Sequence, residues 1–169
     1  MREKTCTAPN SWRTPLLLTA DLYDQRGEDL QSVSLQFLNL GGLARFCGPI
    51  RTVTCFEDNA LLKAVLSTPA AGEVLVIDGG GSLNTALMGD MIADLAVQNG
   101  WAGVVINGAI RDRVAIGAMP LGVKALGSNP RKSSKAGAGV TDAVARFAGV
   151  TFTPGRTIYC DEDGILVER

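Results

Sequence analysis

The chain has 169 residues, of which 46% are hydrophobic and 20% are charged, and this composition favours one globular domain. Its 16 basic and 17 acidic residues give a net charge of −1, so no whole-surface attraction for nucleic acid is expected. The chain contains no histidine, which excludes Ser-His and Cys-His catalysis and leaves carboxylates, lysines or metal-bound water to move protons.

The chain contains no apolar run of 18 residues, so no transmembrane helix and no membrane association are expected. The first residues, MREKTCTAPNSW, lack the hydrophobic stretch of a secretory signal, which predicts a cytoplasmic protein. We expect a single domain over residues 1–169, with residues 1–14 as a loosely ordered arm. The four cysteines form no CxxC pair and are predicted to be free thiols rather than zinc ligands: Cys6, Cys47, Cys55 and Cys160.

The first predicted elements lie between residues 15 and 67. Residues 15–24 are typical of an apolar entry followed by a capped turn or short helix. Residues 46–56 have strand character around a Gly-Pro break. Residues 57–67 carry apolar residues at helical spacing, with acidic residues at the start and Pro69 after the end, and predict a helix.

A strand–loop–helix–strand unit follows. Residues 73–78 form a short apolar run that predicts a buried strand, and residues 79–82 (GGGS) form a loop. A helix is predicted from Asp90, with Gly100 in the position that ends it, and residues 102–107 predict a second buried strand parallel to the first. The predicted buried face of the helix is Met91, Ile92, Leu95 and Ala96.

The rest of the chain is rich in strand signals. Residues 121–127 predict a third strand, and residues 144–168 predict short antiparallel strands separated by glycine-containing turns. The predicted fold is therefore a mixed α/β sandwich with a partly parallel central sheet and an antiparallel, β-rich C-terminal part.

Polar residues follow both strands of the βαβ unit at their carboxyl ends, where ligands collect in parallel α/β sheets. The connection after the first strand leads to Gly89 and Asp90, and the turn after strand 102–107 carries Arg111 and Asp112. Because the two connections leave the same edge of the sheet, we expect these residues to converge.

Each of these residues has a chemical use. The free amides at the start of the helix can hold a carboxylate, and Gly89 lets a ligand come close. Arg111 can grip a carboxylate or ketone oxygen, while Asp112 and Asp90 are hard oxygen ligands for Mg²⁺. The alternative is structural: both aspartates cap helices and Arg111 pairs with one of them. The amides proposed for the ligand belong to Gly89, Asp90, Met91 and Ile92.

Two other motifs allow more than one interpretation. The GGGS loop is not followed by GK[ST], and Asn84 stands where a dinucleotide motif needs glycine, so a tight turn is favoured. A methyltransferase would also need an acidic residue where the next strand ends, at Asn107. The basic run at residues 129–137 is either a solvated loop or a local site for an anionic substrate or partner.

Several segments resemble the RraA-like family, which includes the regulator of ribonuclease activity A and the class II 4-hydroxy-4-methyl-2-oxoglutarate aldolases. The resemblance extends from about residue 17 to the end of the chain. It implies an α/β/β/α sandwich of swivelling-domain type and a homotrimer, or a pair of trimers, with sites between subunits. The segments that carry it are residues 19–24, 55–66, 74–112, 121–133 and 149–155.

The aldolase members carry an Asp, twenty intervening residues, Arg-Asp, two more residues and an acidic residue. Asp90 and Arg111-Asp112 match this spacing, but the last position is Ala115. The resemblance implies that the amides of residues 89–92 and Arg111 hold the pyruvyl portion of a substrate. It further implies that Asp112 anchors Mg²⁺ or Mn²⁺ and that Asp90 orients metal-bound water.

Two functions from different classes follow from the resemblance. The first is a divalent-metal-dependent lyase that cleaves 4-hydroxy-4-methyl-2-oxoglutarate to pyruvate, decarboxylates oxaloacetate, or does both, through a pyruvate enolate. The second is a trimeric inhibitor of an endoribonuclease, without direct contact to nucleic acid and without significant catalysis. The intact set of Asp90, Arg111 and Asp112 favours the lyase.

Overall fold

The computed structural model describes residues 18–169, so the expected N-terminal arm lies outside the described part of the chain. The helices are α1 (Thr19–Arg26), α2 (Ala60–Leu66), α3 (Asp90–Gln98) and α4 (Arg113–Gly117), and a short 3₁₀ turn spans Gly27–Asp29. The first six strands are β1 (Leu30–Ser32), β2 (Leu38–Asn39), β3 (Phe46–Thr54), β4 (Val74–Asp78), β5 (Ala86–Met88) and β6 (Gly103–Ile110). The others are β7 (Gly122–Ser128), β8 (Val140–Thr141), β9 (Ala145–Phe147), β10 (Val150–Phe152), β11 (Thr157–Cys160) and β12 (Ile165–Glu168).

The main sheet has a parallel centre and an antiparallel side. Its strand order is β1-β12-β11-β3-β4-β6-β7-β2, with β5 beside β6 and β8 beside β3. Strands β3, β4, β6 and β7 pair in parallel, whereas β11, β12 and β1 pair antiparallel. The predicted parallel centre and antiparallel C-terminal part are both confirmed.

Strand β3 joins the two parts of the sheet. Its first residues, up to Pro49, pair with β11, and from Ile50 onwards it pairs with β4. The Gly-Pro break recognised in the sequence lies where the pairing with β11 ends and the pairing with β4 begins.

Three apolar clusters separate four layers, which confirms the α/β/β/α sandwich. The largest lies between the helices and one face of the parallel strands, with Leu62, Ala93 and Ile116 facing Ile77 and Ile106. A second fills the space between the other face and the C-terminal strands and hairpin: Phe46, Ile50, Val76, Val105, Phe152, Ile158, Ile165 and Val167 are among its members. A third packs α1 on the outer face of β1 and β12 through Leu22, Leu30 and Leu166.

The helix predicted over residues 57–67 is confirmed but shorter: it spans Ala60–Leu66, and Glu57 before it has a left-handed φ of 52°. Two other local predictions are wrong. Met91 is 79% exposed, since α3 packs through Ile92, Ala93 and Ala96. Cys47 is disulfide-bonded, so the expectation of free thiols holds within the described residues only for Cys55 and Cys160.

Two short elements next to the predicted site were not predicted from the sequence: strand β5 and helix α4.

None of the helices in residues 18–169 has the length and hydropathy needed to cross a bilayer.

Candidate functional site

Strand β5 brings the two predicted halves of the site together. It pairs in parallel with the end of β6, with Ala86 opposite Ala109 and Met88 opposite Ile110. The N–H of Arg111 donates to the carbonyl of Met88 at 2.9 Å, directly before Gly89. The start of α3 and the residues after β6 therefore leave the sheet side by side, as the sequence predicted.

The Asp112 carboxylate joins these halves directly. Its Oδ2 accepts a hydrogen bond from the Asp90 N–H at 3.1 Å and lies 3.9 Å from Nε of Arg111. Asp112 precedes α4 but makes no side-chain capping bond to it, so its carboxylate serves the N-terminus of α3 instead. Its backbone is left-handed, with φ 59° and ψ 42°, a conformation that aspartate tolerates better than most residues.

Gly89 leaves room for this arrangement. A β-carbon at this position would lie 2.7 Å from Oδ2 of Asp112 and 3.2 Å from Nε of Arg111. Any side chain here would push the carboxylate and the guanidinium away from the start of α3.

The Arg111 guanidinium is open to a ligand. Its Nη1 lies 3.5 Å from the carbonyl oxygen of Pro130, and its ion pair within residues 18–169 is the long one with Asp112. The side chains of Arg111 and Asp112 are 44% and 40% exposed. The residues predicted from the sequence thus converge at an accessible corner and are not sealed in the interior.

The Asp112 carboxylate has one oxygen that is available to a ligand. Its Oδ2 is engaged by Asp90, while Oδ1 accepts no hydrogen bond from the described residues. Residues 18–169 contain no group of three or more metal-ligating side chains. An ion here would rest on one or two carboxylates with water and substrate oxygens completing its shell, which is the manner of Mg²⁺.

The loop at residues 129–137 borders the site. From the sequence, a site for an anionic substrate or partner was one of two interpretations of this loop. The Asn129 N–H donates to the carbonyl of Ile110 at 2.9 Å, and the Ala86 N–H donates to the carbonyl of Arg131 at 2.7 Å. The single sequence signal for this placement was the concentration of basic residues.

The glycine loop at residues 79–82 serves the end of the sheet. It leads into β5 and not into a helix, unlike a nucleotide-binding glycine loop. The Asn107 side-chain amide donates to Oδ1 of Asp78 at 3.0 Å, and the Gly80 N–H donates to the same oxygen. These bonds fit the tight turn predicted from the sequence.

Comparison with known proteins places the chain among related sequences and folds. The RraA-like family, described as Aldolase/RraA, matches residues 19–167. An S-adenosylmethionine:2-dimethylmenaquinone methyltransferase from Geobacillus kaustophilus HTA426 is 49% identical, with a TM-score of 0.89 over 90% of this chain and 94% of that chain.

Two further solved structures carry the name RraA. The RNA-processing inhibitor RraA from Thermus thermophilus is 44% identical, with a TM-score of 0.88 over 90% of this chain and 93% of its own. RraAS2 from Streptomyces coelicolor, described as an unusual member of the RNase ES inhibitor RraA family, is 26% identical. Its TM-score is 0.70, and the match covers 87% of this chain and 77% of the Streptomyces chain.

Proposed function

Because this chain belongs to the RraA-like family, which spans aldolases and ribonuclease regulators, we propose that it is a divalent-metal-dependent lyase. It would cleave 4-hydroxy-4-methyl-2-oxoglutarate to pyruvate, decarboxylate oxaloacetate, or do both, since each reaction passes through a pyruvate enolate. The observation that supports this most is the contact of the Asp112 carboxylate with the start of α3, beside the exposed guanidinium of Arg111.

The start of α3 and Arg111 are proposed to bind the 2-keto acid end of the substrate. The first intrahelical bond runs from the Ala93 N–H to the Gly89 carbonyl, so the amides of Met91 and Ile92 have no partner within the helix. The Asp90 amide is engaged by Asp112, which directs the substrate carboxylate to the neighbouring amides and to the Arg111 fork.

The Asp112 and Asp90 carboxylates supply the rest of the chemistry in this proposal. Asp112 would hold Mg²⁺ or Mn²⁺, which polarises a keto oxygen and stabilises negative charge that develops on it. Asp90, on the first residue of α3, would orient the water that carries the proton, because the chain has no histidine for this task. Arg111 would hold the keto acid in a fixed orientation and add positive charge beside the same oxygen.

A second candidate function is regulation of an endoribonuclease. It is favoured by the 44% identity to the RNA-processing inhibitor RraA, over 93% of that protein. In this case the partner would bind an outer surface, and Arg111 would have no part in the activity. A ribonuclease that copurifies equally with the wild type and with Arg111→Ala would support this alternative.

The family resemblance also leads us to propose a homotrimer, or a pair of trimers, with the site near a subunit boundary. Met91 and Val114 flank the site and are 79% and 92% exposed, which is costly for apolar side chains in water. Size-exclusion chromatography with light scattering should give the mass of three or six chains, and Val114→Glu should reduce it.

A pyruvate-release assay tests the lyase. With oxaloacetate and Mg²⁺ or Mn²⁺, the wild type should release pyruvate, and chelation of the metal should remove the activity. Arg111→Ala should lower kcat/KM by about a hundred-fold or more with an unchanged melting curve, because the side chain is half exposed. Arg156→Ala is the matched control, since Arg156 lies beside Ile50 at the other end of the parallel strands. Wild-type turnover by Arg111→Ala would show that the site assignment is wrong.

A further inference from the structure

The loop at residues 129–137, here called the basic loop, continues directly from the candidate site. Its first residue, Asn129, is bonded to the end of β6, and the Pro130 carbonyl lies 3.5 Å from Nη1 of Arg111. The next residue is Arg131, followed by Lys132, and both are exposed. Two cationic residues thus directly follow Pro130, which contacts Arg111.

A buried carboxylate holds the far end of the basic loop. Asp58 is 2% exposed and accepts hydrogen bonds from the Ser134 hydroxyl at 2.9 Å, the Ala136 N–H at 2.8 Å and the Gly137 N–H at 3.1 Å. The Ala60 N–H and these donors lower the pKa of Asp58, which therefore stays ionised at neutral pH. An ionised acceptor with several donors is a strong anchor for a loop.

The middle of the basic loop is fixed against β5. The Arg131 carbonyl accepts from the Ala86 N–H at 2.7 Å, and the buried Ser133 hydroxyl donates to the Ala86 carbonyl at 2.7 Å. The residues on both sides of Lys132 are therefore bonded to the strand that leads into the site. The positions from which the Arg131 and Lys132 side chains extend are set by the fold.

The cations on this fixed backbone form no ion pair with the described part of the chain. Within residues 18–169, neither Arg131 nor Lys132 has a carboxylate within 4.0 Å. The nearby Glu57 carboxylate is held instead by Ser82 at 2.7 Å and Asn84 at 3.0 Å. These two bonds lower the pKa of Glu57, and the charge of Arg131 adds to the shift without forming a pair. Arg131 therefore carries an unpaired guanidinium on a backbone that is tied to the strand leading into the site, and such a group is suited to an anionic ligand.

We propose that Arg131 binds the distal carboxylate of a 2-keto dicarboxylate whose keto acid end is held at Arg111 and the start of α3. Asp58 is the positioning residue that seats the loop. The position of the keto acid end in this proposal rests on the proposed function. Binding of the distal carboxylate by Arg131 makes the site selective for dicarboxylic over monocarboxylic 2-keto acids.

Calorimetric binding of two ligands tests the proposal. They are 2-oxoglutarate and 2-oxopentanoate, which have the same five-carbon chain and differ in the distal carboxylate, each titrated in the presence of MgCl₂. The wild type should bind 2-oxoglutarate about ten-fold or more tightly than 2-oxopentanoate, which is the effect of one charge-assisted contact. Arg131→Met should bring the ratio of the two Kd values close to one and leave the Kd of 2-oxopentanoate unchanged.

The control variant is Arg156→Met, which removes the same charge at the other end of the parallel strands and should preserve the wild-type ratio. Asp58→Ala should bring the ratio of the two Kd values close to one, as Arg131→Met does. If Asp58 had a purely structural role, its loss would weaken the binding of both ligands equally. An unchanged ratio in Arg131→Met, or no preference in the wild type, would overturn the proposal. Calorimetry does not measure turnover. A wild type that prefers 2-oxoglutarate but releases no pyruvate from oxaloacetate would therefore refute the proposed lyase activity and leave the role of Arg131 standing.

Discussion

At Gly89 the site has no space for a β-carbon. The Asp112 carboxylate and the Arg111 guanidinium both lie against this residue, and the Asp112 bond to the Asp90 amide depends on that approach. A hydrogen atom in place of a side chain is therefore what allows two connections, far apart in sequence, to form one corner.

Gly89→Ala should lower the rate of pyruvate release by about ten-fold or more, because the added methyl group displaces Asp112 from the start of α3. Gly117→Ala is the matched control: its β-carbon would have the Leu40 carbonyl oxygen at 3.8 Å as its nearest neighbour, an ordinary contact. Steady-state kinetics should show the loss in the first variant and wild-type rates in the second. Equal rates in both would mean that the Asp112 contact is not needed for activity.

Among the secondary-structure elements, the short strand β5 explains what the sequence could and could not predict. The sequence predicted β4 and β6 from continuous apolar runs and α3 from apolar residues at helical spacing, and the strand-end rule placed Asp90, Arg111 and Asp112 together. A three-residue strand such as β5 has too little pattern to recognise, and its role depends on pairing with β6. Met91 was misassigned because Ala93, a small residue with little apolar signal, lies on the buried face of α3 with Ile92 and Ala96.

Helix α4 offers a place for the acidic residue that the aldolase pattern requires. Ala115 is exposed and lies three residues after Asp112, on the same side of the first helical turn. Ala115→Glu should strengthen Mn²⁺ binding and raise the rate of pyruvate release, since a second carboxylate joins Asp112 at the proposed metal position. Mn²⁺ titration followed by electron paramagnetic resonance would measure the affinity, with Ala115→Gln as the uncharged control. Identical affinities in the two variants would place the metal elsewhere.

The stability of the whole fold depends on contacts between its layers, and Asp161 makes one of these contacts. Its carboxylate accepts from the Thr19 N–H at 2.6 Å and the Thr19 hydroxyl at 2.7 Å, which ties α1 to the turn after β11. Its backbone carbonyl accepts from the buried Lys124 ammonium at 2.5 Å. Burial alone would raise the pKa of Asp161, but the bonds from Thr19, Asp163 and Gly164 lower it below its usual 3.8.

This pKa shift predicts a pH-dependent contribution to stability. A carboxylate whose pKa is lowered by folding stabilises the fold above its unfolded pKa and loses that effect as the pH falls through the folded value. Asp161→Asn should therefore lower Tm by about 2–8 °C at pH 7 and pH 5, and by less at pH 3. Thermal melts of the wild type, of Asp161→Asn and of the exposed control Asp163→Asn would measure this. A deficit that is the same at pH 3 would contradict the ionic role of Asp161.

A crystal structure with Mn²⁺ and oxalate, a planar stand-in for the pyruvate enolate, would test most directly whether the two connections form one site. The anomalous signal of Mn²⁺ should lie in contact with the Asp112 carboxylate. Oxalate should contact the Arg111 guanidinium and the free amides at the start of α3. Mn²⁺ and oxalate bound at a place where neither Arg111 nor Asp112 contacts them would contradict the proposed site.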